Sequence, residues 1–149
     1  GIPRFENVDQ DPSKGIELEV SQQLADGLLI KGSYTYITDN ADVNFREAGR
    51  LGSLSVNYSQ AGWNANVLMS WQGERELPAT DAQSQRLELA SRWLVYGKLS
   101  YRHNTSLKSY VQVKNLADTE YNSPTLGAAL TEGIPNRGRE ILMGVGWSF

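Results

Sequence analysis

Trp63-Asn64-Ala65-Asn66-Val67-Leu68-Met69-Ser70-Trp71-Gln72 is the stretch whose reading decides the fold. Trp63, Ala65, Val67, Met69 and Trp71 occupy one parity, and Asn64, Asn66, Ser70 and Gln72 the other. Successive side chains of a strand point to opposite faces, so this is a strand with one apolar and one polar face. The same period runs outward in both directions. Upstream, 50–59 sets Leu54, Val56 and Tyr58 against Ser53, Ser55 and Asn57, and 28–38 sets Leu28, Ile30, Tyr34 and Tyr36 against Lys31, Ser33 and Thr35. Segment 14–24 opposes Ile16, Leu18 and Val20 to Glu17, Glu19, Ser21 and Gln23. Downstream, 90–102 opposes Trp93, Val95, Leu99 and Tyr101 to Arg92, Lys98, Ser100 and Arg102, and 107–114 opposes Leu107, Val111 and Val113 to Lys108, Gln112 and Lys114. In 139–149, Ile141, Met143, Val145, Trp147 and Phe149 alternate with Gly144, Gly146 and Ser148. The period predicts an all-β, antiparallel protein with seven long strands.

Composition removes several function classes. The chain has 149 residues, which is one ordinary domain's worth, with 14 Lys and Arg against 17 Asp and Glu. A net charge of −3 offers no basic footprint for nucleic acid. The absence of Cys excludes disulfide scaffolds, thiolate metal sites and cysteine nucleophiles, and a single His, His103, excludes multi-His metal centres. No run approaches 18 consecutive apolar residues, so no transmembrane helix is expected, and mean hydropathy is −0.45. That average conceals the two faces of each strand.

An antiparallel sandwich would alternate in the same way, so the content of the faces matters. Along the middle of the seven segments the apolar face carries no charge, whereas the opposite face carries Glu17, Glu19, Lys31, Lys98, Lys108 and Lys114. Large aromatics sit near strand ends on the apolar face: Tyr34, Tyr36, Tyr58, Trp63, Trp71, Trp93, Tyr101, Trp147 and Phe149. An apolar band between aromatic girdles, around a polar interior, is the pattern of a transmembrane β-barrel in an outer membrane, whose first partner is lipid. Links 25–27, 59–62 and 102–106 are short and carry turn residues, whereas 39–49, 73–89 and 115–138 are long. Short and long alternate, as periplasmic turns and extracellular loops do. The link at 8–13 is the exception, since its place in the alternation calls for a long loop. Residues 1–9 contain Pro3 and no apolar face, which suits them poorly to closing a barrel by pairing with 139–149. The chain is therefore expected to be part of a larger barrel.

Several elements resemble TonB-dependent outer-membrane receptors. Asn115-Leu116-Ala117-Asp118-Thr119-Glu120-Tyr121 resembles the family's Asn-Leu-Phe-Asp-x-x-Tyr element, with Ala117 replacing the usual aromatic. Lys14-Gly15-Ile16-Glu17-Leu18-Glu19, Gly32-Ser33-Tyr34-Thr35-Tyr36 and Pro135-Asn136-Arg137-Gly138-Arg139, followed by a strand ending at Phe149, are similar to further elements in the family's order. The resemblance implies a barrel of about 22 strands, of which residues 1–149 would form about the C-terminal third, with the plug domain and TonB-contacting box upstream. It implies Gram-negative outer-membrane localisation and TonB-energised uptake of a scarce nutrient chelate. A ferric siderophore is the first expectation, with haem, cobalamin or another metal chelate as further possibilities. No cofactor is implied. The terminal strand, through Ile141, Met143, Val145, Trp147 and Phe149, resembles the signal read by the barrel-assembly machinery.

Residue by residue, the expectations are modest. Arg75, Tyr121, Asn122 and Arg137 lie in or beside the long links, where Arg and Tyr can grip an anionic chelate through charge-assisted hydrogen bonds and stacking. Plain solvation is the competing reading for each, as it is for Glu74, Glu76, Arg86 and Arg139. Glu17 and Glu19 read as wet lumen wall rather than an acid–base pair. His103 reads as a turn residue, Met69 and Met143 as lipid-facing, and Gly127-Ala128-Ala129 as a small apolar loop tip. No Ser/His/Asp constellation, phosphate-binding loop or dinucleotide fingerprint is present, so neither catalytic nor metal residues are expected. A self-standing small outer-membrane barrel, structural or adhesive, is the alternative; a membrane hydrolase is the third class.

Overall fold

Seven long strands form one continuous antiparallel sheet in the computed structural model, which describes residues 14–38, 47–76, 88–124 and 133–149. In chain order the elements are β1 (Gly15–Ala25), β2 (Leu28–Ile37), β3 (Arg50–Gln60), β4 (Trp63–Gln72), β5 (Arg75–Glu76), β6 (Glu88–Leu89), β7 (Arg92–Arg102), β8 (Leu107–Lys114), β9 (Asn122–Ser123), β10 (Ile134–Pro135) and β11 (Glu140–Trp147). The sheet order is β1-β2-β3-β4-β7-β8-β11, a plain meander in which each long strand pairs with its sequence neighbours. The expectations for residues 1–9, the 8–13 link, Arg86 and Gly127-Ala128-Ala129 lie outside the described residues.

Register keeps the two faces separate across the whole sheet. Ile30 opposes Val56, Val56 opposes Val67, Val67 opposes Gly97, and Leu99 opposes Val111, which opposes Met143. Since a slip of one residue would exchange the faces, this parity fixes every pairing. The apolar face is open to the surroundings: Leu18, Met143 and Val145 are 60%, 73% and 71% exposed. Leu94 and Ala48 are the buried apolar residues among those described, far too little core for a sheet of this size in water. Lipid is the solvent that makes such a face stable.

Aromatic side chains gather at two heights on that face. Trp71 stacks on Tyr34 at 6.5 Å and meets Trp93 at 6.2 Å at the rim carrying the long links. Trp63 contacts Tyr101 at 4.6 Å at the rim carrying the short turns. Trp63 and Trp71 are eight residues apart on one strand, about 27 Å of strand at about 3.4 Å per residue. Tilted by about 40°, that spans about 21 Å, close to the height of an outer-membrane apolar band. Arg50, a charge on this face, stands at the rim with its guanidinium 5.5 Å from the Tyr36 ring centre.

The opposite face is polar but carries more apolar surface than its charges suggested. Ser33 and Ser53 hydroxyls meet at 2.7 Å, Asn66 Nδ2 donates to Asn57 Oδ1, and Lys98 sits 5.4 Å from the Tyr110 ring. Leu68 opposes Tyr96, Ser70 opposes Leu94, and Gln112 opposes Leu142, so the alternation is interrupted on this side. Tyr110 lies across Gly144, where a Cβ would stand 2.5 Å from the ring.

Two of the long links are regular at their bases. The ladder continues above the sheet as two-residue pairs, β5 with β6 and β9 with β10. The short turns need little: Ala61 and Gly62 take φ of 51° and 84°, which suits a tight hairpin whose backbone twist matches the strands. Asn104 Oδ1 accepts from the amides of Ser106 and Leu107 in the third.

Candidate functional site

The rim of the long links owes its shape to one buried side chain. Asn115, 5% exposed, follows β8 in the left-handed conformation at φ 50°. Its Oδ1 accepts from the Thr119 amide at 3.0 Å, and its Nδ2 donates to the Thr119 carbonyl at 2.9 Å. Asp118, also left-handed at φ 55°, accepts from the Arg139 amide at 2.7 Å, and the Leu116 amide donates to the Val95 carbonyl. Asn and Asp tolerate this conformation better than other residues with a Cβ. The Asn-Leu-x-Asp element is thus a corner that folds the chain back over β7 and delivers Tyr121 and Asn122 to the polar side of the rim.

Three side chains and one backbone carbonyl converge there. Arg75, at the start of β5, is 6% exposed and donates from Nη2 to the Asn122 carbonyl at 3.4 Å. Arg92, the first residue of β7, donates from Nη1 to the same carbonyl at 3.4 Å and stacks 4.1 Å from the Tyr121 ring centre. Burial, and then the neighbouring Arg92 charge, push the Arg75 guanidinium below its ordinary value, with Tyr121 acting in the opposite sense. The Nε atoms of both arginines are buried and make no hydrogen bond. Residues 89–92 and 119–122, Arg92 and Tyr121 among them, line a cleft of about 330 Å³.

Of the sequence candidates, Arg75, Tyr121 and Asn122 are brought together, Asn122 contributing its backbone carbonyl to both arginines. Arg137 is not part of this group. It is exposed, pairs with Glu140 at 3.1 Å, and lines a neighbouring cleft of about 340 Å³ that Tyr121 and Lys114 also line. Arg139 contributes its backbone amide to Asp118. Arg92 was placed on the polar face by its parity but not singled out as a site residue; its position opposite Gln72, at the foot of the β5–β6 extension, is the signal that finds it.

At the other rim, His103 and Ser109 approach to 2.9 Å, a pairing absent from the sequence reading. Its other neighbour is the Tyr101 ring, edge-on at 4.9 Å. Among the described residues no carboxylate orients the imidazole, and Ser109 is held in ladders with Tyr101 and Val145, which leaves no adjacent amides free to stabilise an oxyanion. The five apolar residues of the last segment, Ile141, Met143, Val145, Trp147 and Phe149, share the exposed face, and β11 pairs only with β8 among the described residues.

Comparison with known proteins gives the same architecture. The family model described as TonB dependent receptor-like, beta-barrel, matches residues 1–116. No curated protein sequence matches. Among solved structures, the ferripyoverdine receptor of the outer membrane of Pseudomonas aeruginosa superposes with a TM-score of 0.75 at 24% identity, over 92% of this chain and 19% of that one. The ferric-catecholate import receptor Fiu from E. coli K12 gives 0.69 at 19% identity, over 91% and 20%. The siderophore receptor PirA from Acinetobacter baumannii gives 0.73 at 13% identity, over 92% and 22%. The chain spans about a fifth of the length of these structures.

Proposed function

We propose, because this chain belongs to the TonB-dependent receptor β-barrel family, that it builds part of the wall and extracellular mouth of an outer-membrane receptor importing a scarce nutrient as a chelate. The observation that carries the reading is the two-faced sheet: an apolar face banded by aromatics toward lipid, and a polar face with a cationic cluster at the rim of the long links. That polar face would line the lumen, and the short turns would face the periplasm. A ferric siderophore is the ligand class we favour, in keeping with what the matched solved structures are named for. Energy would come from TonB through a plug and contact box outside this chain, which we assign to the C-terminal portion of the barrel. We assign it no catalysis.

The test is growth on a panel of ferric, haem, cobalamin and copper chelates under limitation, comparing cells with and without the receptor, each with and without TonB. Receptor-dependent and TonB-dependent growth on at least one chelate is expected. No such growth on any of them would overturn the transport reading.

We also propose that the last segment serves in assembly. An edge strand with unpaired main-chain groups can add to an open sheet edge, with alternate side chains giving selectivity. Ile141, Met143, Val145, Trp147 and Phe149 supply those side chains. Trp147→Ser with Phe149→Ser should abolish surface receptor in cells, whereas Trp93→Ser, which removes an aromatic of comparable exposure at the opposite girdle, should leave most of it. Equal surface levels for the two variants would leave the last segment a girdle and nothing more.

A further inference from the structure

One buried cation, Arg75, and one half-buried cation, Arg92, share one carbonyl at the rim, and this arrangement is costly as it stands. A guanidinium presents five N–H donors in a planar fork and stays protonated at every physiological pH. Taking such a charge out of water without a counter-charge is strongly unfavourable, and a second cation beside it adds repulsion. Among the described residues neither Arg75 nor Arg92 pairs with a carboxylate, and the Nε of each is unsatisfied. Glu120 lines the adjoining cleft but makes no ion pair with either. The Asn122 carbonyl and the Tyr121 ring hold the two heads in place, and neither neutralises them.

We infer that the Arg75–Arg92 pair, with Tyr121 as its wall, is a binding site for one compact oxyanion, namely a free carboxylate-class group on the imported molecule. The inference rests on the transport reading and names the part of the ligand that this rim would recognise. A planar carboxylate accepts two parallel N–H bonds from a guanidinium fork, and one placed between the two heads would satisfy donors that the described residues leave open. The cleft of about 330 Å³ beside Arg92 and Tyr121 has room for such a group and for part of the molecule bearing it. Arg92 lies on the polar face, opposite Gln72, which turns the pair away from the face that lipid would contact. A lipid phosphate has the same oxyanion chemistry but would have to reach the site from the wrong side of the wall.

Citrate is a suitable probe, titrated by calorimetry into the full-length receptor in nanodiscs at constant ionic strength, with chloride as the reference anion. Saturable binding is expected, weakened at least tenfold by Arg92→Gln and by Arg75→Gln, and unchanged by Arg102→Gln, which removes an exposed guanidinium at the rim of the short turns. If Arg75→Gln fails to assemble, Arg92→Lys keeps the charge but loses the fork and should also weaken citrate measurably. Binding should be the same in nanodiscs with and without phosphatidylglycerol. Absence of saturable citrate binding, equal affinity in the arginine variants, or loss of binding when anionic lipid is present would each overturn the site. The growth panel separates this from the transport reading: uptake without citrate binding rejects the oxyanion site alone, and citrate binding without uptake rejects transport alone.

Discussion

Val67→Arg is expected to destabilise the assembled barrel by about 2–4 kcal/mol, among the largest single-residue effects this sheet offers. Val67 lies midway along β4, four residues from Trp63 and four from Trp71, which puts it at the centre of the apolar band. Its neighbours across the ladders are Val56 and Gly97, neither of which can pair a guanidinium. A cation there must be desolvated or must reach for a rim that its side chain cannot span from the midplane. Val111→Arg, between Leu99 and Met143, should behave alike. Gln112→Arg, one residue away and facing the polar side, should cost at most about 1 kcal/mol, part of it from Lys98 directly opposite. Urea titration of the receptor in vesicles, read by its heat-modifiable mobility, measures all three. Similar losses at Val111 and Gln112 would mean that both faces meet the same solvent, and the barrel reading would fail.

The contrast between those two neighbours explains why so much of the fold was legible. When one face of a strand must meet lipid, parity is enforced at every second residue, and a neighbour's register can only be the one that preserves it. Segments 28–38 and 62–72 therefore announce β2 and β4 to within a residue or two, and the tight turn at Ala61–Gly62 follows. The polar face is under no such constraint. It need only be wet on average, so Leu68 can sit beside Tyr96 and Tyr110 can cover Gly144 without any signal in the period. The rim was least legible. Arg75 and Tyr121 are separated by a long stretch of sequence, and what joins them to Arg92 is the β5–β6 extension together with a corner whose hydrogen bonds run from a side chain to the backbone. Composition marked these residues as able to bind an anion; only the corner makes them neighbours.

That corner is the second place where a single change should have a large effect. Asn115→Ala removes two hydrogen bonds to Thr119, each worth about 1 kcal/mol net. It also puts a residue without Asn's local hydrogen bonding into the left-handed conformation, at about 1 kcal/mol more. The sum, about 3 kcal/mol, falls on local opening of the rim and not on the sheet, because the long strands below are held by their own ladders and by lipid. At about 1.4 kcal/mol per tenfold, amide exchange in a peptide spanning 115–123 should accelerate by about 100-fold, while the urea midpoint of the barrel barely moves. Two further variants divide the effect by cause. Asn115→Gly accepts the backbone conformation and loses only the bonds, so it should recover about a third of the loss. Asn115→Asp keeps the acceptor for the Thr119 amide and loses the donor to its carbonyl, so it should fall between Gly and the parent. Because Tyr121 is positioned through this turn, citrate affinity should fall in the same order as exchange rises, although Asn115 does not line the cleft beside Arg92. Unchanged exchange in Asn115→Ala would show that the corner is held by the Asp118 contact with Arg139 instead. Faster exchange with undiminished citrate affinity would detach Tyr121 from the anion site and leave the two arginines to act alone.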